Sequence, residues 1–197
     1  MISRLRPLAA VVTVSLAIPT GALAFSTGPP DGRTGAPGEG LCIQCHTTFP
    51  PNSGDGMLEI AGIPEPYVPG TTYAVTVTLS DPDAARWGFE LTVLEPGGTS
   101  TGVLAPVDAL VQTSTTGDRT YAKHTLDGTF NGQTGSASWQ LEWTAPAAGT
   151  GDATWYVAGN GANGDFTNAG DRIYNTSFAF AEQDLTPVEA VPATAAR

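Results

Sequence analysis

The stretch 137-ASWQLEWTAP-146 gives the clearest indication of fold class, because it alternates large apolar and polar side chains and ends at a proline. Trp139, Leu141 and Trp143 stand two positions apart, and this period places them on one face of an extended chain. Three large apolar side chains on one face must be buried against a second layer of structure. The stretch therefore predicts a β-strand that faces a two-layer core.

Seven further runs of this kind flank the stretch, separated by Gly, Pro, Asn and Asp residues. Short strands between such turns, without a helical period, are typical of antiparallel sandwiches. We therefore predict an all-β antiparallel sandwich of about seven or eight strands, in which the run at 102–114 is also compatible with two short strands. The runs cover residues 57–64, 66–83, 86–98, 102–114, 119–126, 151–165 and 171–183. Further candidate core residues are Tyr73, Val75, Val77, Leu79, Phe89, Leu91, Val93, Ala153, Trp155 and Val157.

Residues 1–24 have the pattern of a secretory signal peptide. Arg4 and Arg6 precede an apolar run at 8–18 that is too short to span a bilayer, and 22-ALA-24 is a small-residue cleavage site. We expect cleavage before Phe25 and a periplasmic or extracellular protein without a transmembrane segment in its mature part. An uncleaved anchor is the alternative, but polar residues and a proline interrupt the apolar run.

The composition is acidic and poor in lysine. The 197 residues include 8 basic and 19 acidic ones, for a net charge of −11. Loss of residues 1–24 removes two arginines and leaves six basic against nineteen acidic residues, a net charge of −13. This charge argues against nucleic acid and anionic membranes as partners and favours a basic docking face on a partner protein. Two cysteines are too few for the framework of a disulfide-rich secreted scaffold.

The segment 25–55 is rich in Gly, Pro, Ser and Thr and has neither strand alternation nor a helical period. It contains too little apolar surface to order itself, so the body of the protein or a bound group must hold it. We predict four parts: the signal peptide at 1–24, this N-terminal segment, the sandwich at 56–182 and a disordered tail at 183–197.

The stretch 40-GLCIQCHTTFPP-51 lies in the N-terminal segment and contains both cysteines of the chain. Cys-x-x-Cys-His is the attachment motif of c-type haem. The two-residue spacer allows one turn of chain to present two thiols to the two vinyl groups of the porphyrin, and the next residue ligates the iron. The motif predicts one covalent haem c, with thioethers at Cys42 and Cys45 and His46 as the proximal iron ligand.

Two other chemistries use the same residues. Cys42 and Cys45 could form a structural or redox-active disulfide, although a redox motif usually opens a helix in a βαβ unit. A zinc ion could take Cys42, Cys45, His46 and His124, although adjacent Cys45 and His46 fit poorly on one tetrahedral metal.

The second axial ligand of the iron is chosen from few residues. His124 and Met57 are the only other His and Met beyond residue 24. His124 is the preferred distal ligand, and its alternative is an exposed histidine at a strand end. Met57 is the second candidate ligand, but its place beside Leu58 and Ile60 also suits a core position. An open iron site remains the third possibility.

The loop at 159–171 carries five residues with side-chain oxygens: Asn160, Asn163, Asp165, Asn168 and Asp171. They could bind calcium, but their spacing does not match an EF-hand loop. A glycine-rich turn held by side-chain-to-backbone hydrogen bonds is the favoured interpretation.

Trp87, in the first half of the chain, is interpreted as a core residue rather than as a stacking partner of haem.

Several of these stretches together resemble the Reelin N-terminal (Reeler) domain family. They are 88-GFELTVL-94, 121-YAKHT-125, 139-WQLEWTAP-146 and 151-GDATWYVAGNGANGDFTNAGDRIY-174. The chain is most similar to an exported bacterial form in which a segment like 34-TGAPGE--C--CH-46 precedes the sandwich. The resemblance covers about residues 30–180. It implies an immunoglobulin-like β-sandwich outside the cytoplasm. The histidine in the -HT- element of the family matches His124 here, and this match slightly favours a functional role for His124.

The sequence predicts an exported monohaem c-type cytochrome that acts in electron transfer, as a free carrier or as a subunit of a larger redox assembly. The alternative is a cell-surface binding or adhesion module in which a haem, disulfide or metal only fixes the N-terminal segment. An open iron would instead indicate a haem enzyme or sensor. No Ser/His/Asp set or paired carboxylates stand out, so we do not expect an enzyme.

Overall fold

The computed structural model describes residues 25–185. The predicted signal peptide and nearly all of the predicted tail lie outside the described residues. In this part of the chain no helix is long and apolar enough to cross a membrane. Two short 3₁₀ turns lie at Cys42–Gln44 and Asp127–Thr129. The strands are β1 (Met57–Ala61), β2 (Thr72–Asp81), β3 (Arg86–Leu94), β4 (Val103–Pro106), β5 (Val111–Thr116), β6 (Arg119–His124), β7 (Gly135–Thr144), β8 (Ala153–Ala162) and β9 (Arg172–Phe180).

The strands form two antiparallel sheets, which confirms the predicted all-β sandwich. One sheet has the order β1-β2-β7-β4 and the other has the order β5-β6-β3-β8-β9. The described residues contain nine strands rather than eight, because the run at 102–114 divides between the two sheets. Pro106, which has no backbone N–H, ends β4, and Asp108 then accepts the N–H of Leu110 at 2.8 Å in the connecting turn.

The predicted core lies between the sheets. In the β2–β7 pair, Tyr73, Val75 and Val77 stand opposite Trp143, Leu141 and Trp139. The ring centroids of Trp143 and Trp155, which come from opposite sheets, are 5.4 Å apart in an edge-to-face arrangement. All the candidate core residues are buried except Tyr73, which is partly exposed.

Strand β3 departs from the expected alternation. Phe89, Leu91 and Val93 face the core as predicted, but Glu90 and Thr92 on the opposite face are also completely buried. A strand with two buried faces needs cover on both sides. The cover of the outer face comes from the N-terminal segment, and that contact positions the candidate site.

Two buried tryptophans differ in how their indole N–H groups are satisfied, and this difference can be tested. The indole of Trp139 donates to the carbonyl of Gly128 at 2.8 Å, whereas that of Trp155 has no acceptor within residues 25–185. Trp139→Phe leaves a buried carbonyl without its donor, which costs about 1–3 kcal/mol. We therefore expect Trp139→Phe to lower the free energy of unfolding by about 1–3 kcal/mol more than Trp155→Phe. Urea denaturation measures both, and equal losses would contradict the expectation.

Candidate functional site

The N-terminal segment lies across the outer face of the five-stranded sheet and is held there by three acidic side chains. Two belong to the segment and pair with β5 and β6, and the third belongs to β3 and accepts a backbone N–H of the segment. The contacts are Asp31 with Ser114 and Lys123, Glu39 with Arg119 and Tyr121, and Glu90 with the N–H of Arg33. Side-chain hydrogen bonds to the sandwich therefore order a segment that lacks its own apolar core.

The Cys-x-x-Cys-His motif forms one tight turn within this segment. The backbone N–H groups of Cys45 and His46 both lie 3.1 Å from the carbonyl oxygen of Cys42. This turn brings Cys42, Cys45 and His46 to the wall of a single cleft. Both cysteines are free thiols, with Cys42 partly buried and Cys45 exposed.

The cleft opens at one end of the sandwich, and its cavity has a volume of about 90 Å³. His124 lines it together with the motif residues, although the two histidines are far apart in the sequence. Pro29 and Trp87 contribute apolar surface. Trp87 is 2 % exposed and belongs to the core, as interpreted from the sequence, but it also borders the cleft.

His46 is oriented by a buried acid. Its Nδ1 lies 2.7 Å from Oδ2 of Asp171, whose side chain is 1 % exposed. The other carboxylate oxygen of Asp171 accepts the backbone N–H of Asn163 at 3.1 Å. Because Nδ1–H donates to the carboxylate, the lone pair of the ring belongs to Nε2. A carboxylate partner of this kind fixes the tautomer of metal-binding histidines and makes the free nitrogen more basic.

The loop before β9 forms hydrogen bonds with the motif and with the residues that follow it. The side-chain amide of Asn168 donates to the carbonyl of Cys45 at 2.6 Å, and the N–H of Gly170 donates to the hydroxyl of Thr48 at 2.8 Å. The sequence interpretation missed this role of the loop. Asn168 and Gly170 both belong to the stretch 151–174, which was noted as part of the resemblance and as a candidate calcium loop.

Within the same loop, side-chain oxygens bond to nearby backbone groups. Asn163 accepts the N–H of Asp165, and Asp165 accepts the N–H of Thr167, at 3.0 and 2.7 Å. These are the bonds of the favoured turn interpretation. Residues 25–185 contain no group of three or more His, Cys, Asp or Glu placed to hold a metal ion, and calcium binding through the asparagine oxygens of this loop stays untested.

His124 is the last residue of β6 and is buried, so the interpretation as an exposed histidine is wrong. Its Nδ1 lies 3.1 Å from the N and 3.2 Å from the O of Phe89. One neutral tautomer accepts the N–H of Phe89, and the other donates to its carbonyl and carries the lone pair on Nε2. The backbone of Phe25 is a further hydrogen-bond partner of the ring. Desolvation lowers the pKa of His124 to about 4, so the imidazole is neutral at neutral pH.

Because Gly88 has no side chain, the ring of His124 can occupy the space beside it. A Cβ at this position would lie 2.7 Å from Cε1 of His124, closer than van der Waals contact permits. The glycine in 88-GFELTVL-94 therefore has a specific packing reason, which the sequence pattern alone did not indicate.

The structure places Met57 away from the cleft. It is the first residue of β1, it pairs with Ser80, and it is 55 % exposed. The interpretation of Met57 as a core residue is wrong, because the alternation of β1 turns Leu58 inward instead. Of the two candidate distal ligands, only His124 lies with the motif residues in the cleft.

The disulfide and zinc chemistries also meet local conditions that do not favour them. Burial, followed by the nearby carboxylate of Glu90, raises the pKa of the Cys42 thiol to about 12. The thiolate is the nucleophile of thiol exchange, so a protonated Cys42 is poorly suited to a redox-active disulfide. The four residues considered for zinc do not form a metal-binding group within the described part of the chain.

Two arginines add positive charge to the cleft. Arg33 and Arg86 both line it. Arg33 donates to the carbonyl of Gly32, and the guanidinium of Arg86 lies 4.7 Å from the ring centroid of Phe166. Among residues 25–185 neither forms an ion pair, whereas Arg119, Lys123 and Arg172 all do.

No family model matches the sequence, and a search of the curated proteins finds no match. Among solved structures, the chain is similar to the human F-spondin reeler domain at 21 % identity and a TM-score of 0.49, covering 72 % of this chain and 99 % of that one. A structure of the Reelin-N domain of F-spondin has 23 % identity and a TM-score of 0.49, and the match covers 72 % of this chain and 97 % of that one. AvmM, which catalyses macrocyclization in alchivemycin A biosynthesis, has 13 % identity and a TM-score of 0.42, and the match covers 70 % of this chain and 93 % of that one. The assignment of a sandwich rests on the two sheets of this chain.

Glu90, beneath the N-terminal segment, makes the stability of the protein depend on pH. Its burial raises the pKa of its carboxyl to about 8, against 4.5 for a free glutamate. The acid is therefore protonated in the folded state and ionised in the unfolded state between these values. Its contribution to stability is fully present below about pH 4.5 and is lost as the pH rises through 8.

Glu90→Gln removes this titration and keeps an oxygen for the N–H of Arg33. Between about pH 5 and pH 8 we expect the wild-type protein to lose up to about 1.4 kcal/mol per pH unit relative to Glu90→Gln. Denaturant unfolding across that range measures the difference. Glu142→Gln, at an exposed position of β7, is the matched control and should follow the wild-type profile. Parallel profiles of wild type and Glu90→Gln would contradict the assignment.

Proposed function

We propose that this protein is an exported monohaem c-type cytochrome that acts in electron transfer. Cys42 and Cys45 would bind the haem covalently, His46 would be the proximal ligand of its iron, and His124 the distal ligand. The observation that carries the proposal is the convergence of these four residues on one cleft, with Nε2 of His46 left free by its bond to Asp171.

The donor atoms fit an iron porphyrin. The turn at Cys42–Gln44 presents two thiols and one imidazole together, as the attachment motif requires. His46 has the carboxylate partner that metal-binding histidines commonly have. His124 is neutral and buried, and the tautomer that donates to the carbonyl of Phe89 carries its lone pair on Nε2.

The remaining walls of the cleft also suit a haem. Apolar side chains around a porphyrin exclude water and lower the local dielectric constant. Haem carries two propionates, and carboxylates in partly buried sites need cations or hydrogen-bond donors. Arg33 and Arg86 line the cleft without an ion-pair partner in the described residues, and they are the cations we assign to this role.

Haem, when bound, supplies one-electron redox chemistry. The chain would hold the iron ligands, keep water from the buried part of the cleft and present its surface to a redox protein partner. The net charge of −11 favours a partner with a basic docking face and an association that weakens with added salt. We include periplasmic or extracellular location in the proposal, because c-type haem is attached outside the bacterial cytoplasm.

A second candidate function is a cell-surface binding or adhesion module whose working part is the sandwich. The observation that favours it is the anchoring of the N-terminal segment by Asp31, Glu39 and Glu90, which needs no bound group. In that case a haem, disulfide or metal at Cys42 and Cys45 would only fix the segment. A reversible redox titration of the holoprotein, and electron exchange with a partner, would separate the two functions.

Covalent haem is the first expectation to test. The full chain is expressed in a bacterial host with c-type haem maturation, extracted with acid-acetone and assayed as the pyridine haemochrome. We expect one c-type haem per chain and complete loss of covalent haem in the double variant Cys42→Ser/Cys45→Ser. A colourless wild-type protein from a competent host would overturn the cytochrome proposal and leave the sandwich as the working part.

The distal ligand is tested by a pair of variants. His124→Ala should open the sixth coordination position, so that the ferric spectrum becomes high-spin and the ferrous protein binds carbon monoxide tightly. Met57→Leu is the matched control and should keep the wild-type spectrum. Gly88→Ala, which forces the ring of His124 to move, serves as a second variant if His124→Ala does not fold. Opening of the iron by Met57→Leu alone would assign the ligand to Met57.

A further inference from the structure

Asp171 is an acid buried without a cation. Its side chain is 1 % exposed, and among residues 25–185 no lysine or arginine pairs with it. Its carboxylate is bonded by Nδ1 of His46 at 2.7 Å and by the backbone N–H of Asn163 at 3.1 Å. A buried charge of this kind is tolerated only when hydrogen bonds compensate its loss of hydration. The proton on Nδ1 of His46 is therefore part of what stabilises Asp171.

The amide of Asn160 completes the surroundings of this pair. Its Nδ2 lies 3.4 Å from Nδ1 of His46 and 3.5 Å from Oδ2 of Asp171. These distances are at the upper limit for hydrogen bonds, whereas 2.7 Å is typical of a charge-assisted bond. The contact between His46 and Asp171 is thus the strong interaction, and Asn160 packs beside it.

We infer that Asp171 is a positioning residue that lowers the reduction potential of the haem by holding the Nδ1 proton of His46. This inference rests on the proposed function. A carboxylate at Nδ1 draws the proton towards itself and gives the ring partial imidazolate character, which makes Nε2 a stronger donor. A stronger donor stabilises the ferric iron more than the ferrous iron, because the ferric ion has one more positive charge.

The buried charge itself acts in the same direction. A negative charge close to the iron favours the more positive oxidation state, and the attraction is stronger in a site of low dielectric constant. A neutral backbone carbonyl at Nδ1 would provide neither the full charge nor the same basicity. The structure therefore points to a carrier of low potential, suited to donating its electron to partners of higher potential.

The test replaces Asp171 by its neutral isostere. In the matured holoprotein, Asp171→Asn should raise the midpoint potential, measured by optical redox titration. A tenfold weaker preference for the ferric form corresponds to a rise of about 59 mV for one electron, and we expect an effect of that size. Asp165→Asn is the matched control, since it removes one acid from the same loop without touching His46. It should leave the potential within a fraction of that shift.

A second measurement needs no haem and no variant. In wild-type protein prepared without haem maturation, nitrogen NMR at a pH where the ring is neutral reports the tautomer of His46. We expect the proton on Nδ1 and a bare Nε2. A proton on Nε2 would contradict the bond to Asp171 and overturn the inference.

The outcomes separate this inference from the proposed function. Covalent haem with an unshifted potential in Asp171→Asn, or an equal shift in Asp165→Asn, overturns the role of Asp171 and leaves the cytochrome proposal intact. Wild-type protein without covalent haem overturns both. Haem retained together with a specific rise in potential supports both, and a role in folding alone would not produce that rise.

Discussion

The N-terminal segment covers the outer face of the five-stranded sheet, and the arrangement of the candidate site depends on this contact. Glu90 projects from the middle of β3 on this face and is completely buried. If that face were exposed, water would hydrate the Glu90 side chain. Burial of this side chain without a hydrogen-bond partner would cost free energy. The N–H of Arg33 meets one of its oxygens, and Asp31 and Glu39 fasten the same segment to β5 and β6. These contacts fix the path of the chain up to the turn that carries Cys42, Cys45 and His46.

The strand order then brings the other groups to the same place. In the order β5-β6-β3-β8-β9 every neighbour is antiparallel, so β6 and β8 end where β3 and β9 begin. His124 is the last residue of β6, Gly88 lies near the start of β3, and Asp171 immediately precedes β9. Residues from distant parts of the sequence therefore meet at one end of the sheet without any irregular strand geometry. The cleft is a consequence of topology, as ligand sites at sheet ends often are.

The sequence was informative where a period or a motif carried the signal. Alternation at Trp139, Leu141 and Trp143 predicted the core, and the spacing of the cysteines indicated a haem chemistry that remains a prediction. The buried outer face of β3 was not predictable, because the burial of Glu90 depends on a segment with no period of its own. Asp171 was also missed as the partner of His46. Its hydrogen bond joins residues 125 positions apart, and no local pattern encodes that distance.

The anchoring of the N-terminal segment bears on both candidate functions in different ways. If hydrogen bonds to the sheet order the segment, a haem is not needed to fold it, and the sandwich is complete as a structural module. Separate contacts hold His46 against Asp171 and His124 against the backbone of Phe89, and these contacts involve no bound group. Pre-organised polar groups cost little rearrangement when charge changes beside them. In the proposed electron carrier this property would serve both oxidation states of the haem. The orientation of His46 is therefore the feature on which the electron-transfer proposal rests, whereas the two sheets and the anchored segment suffice for the structural role.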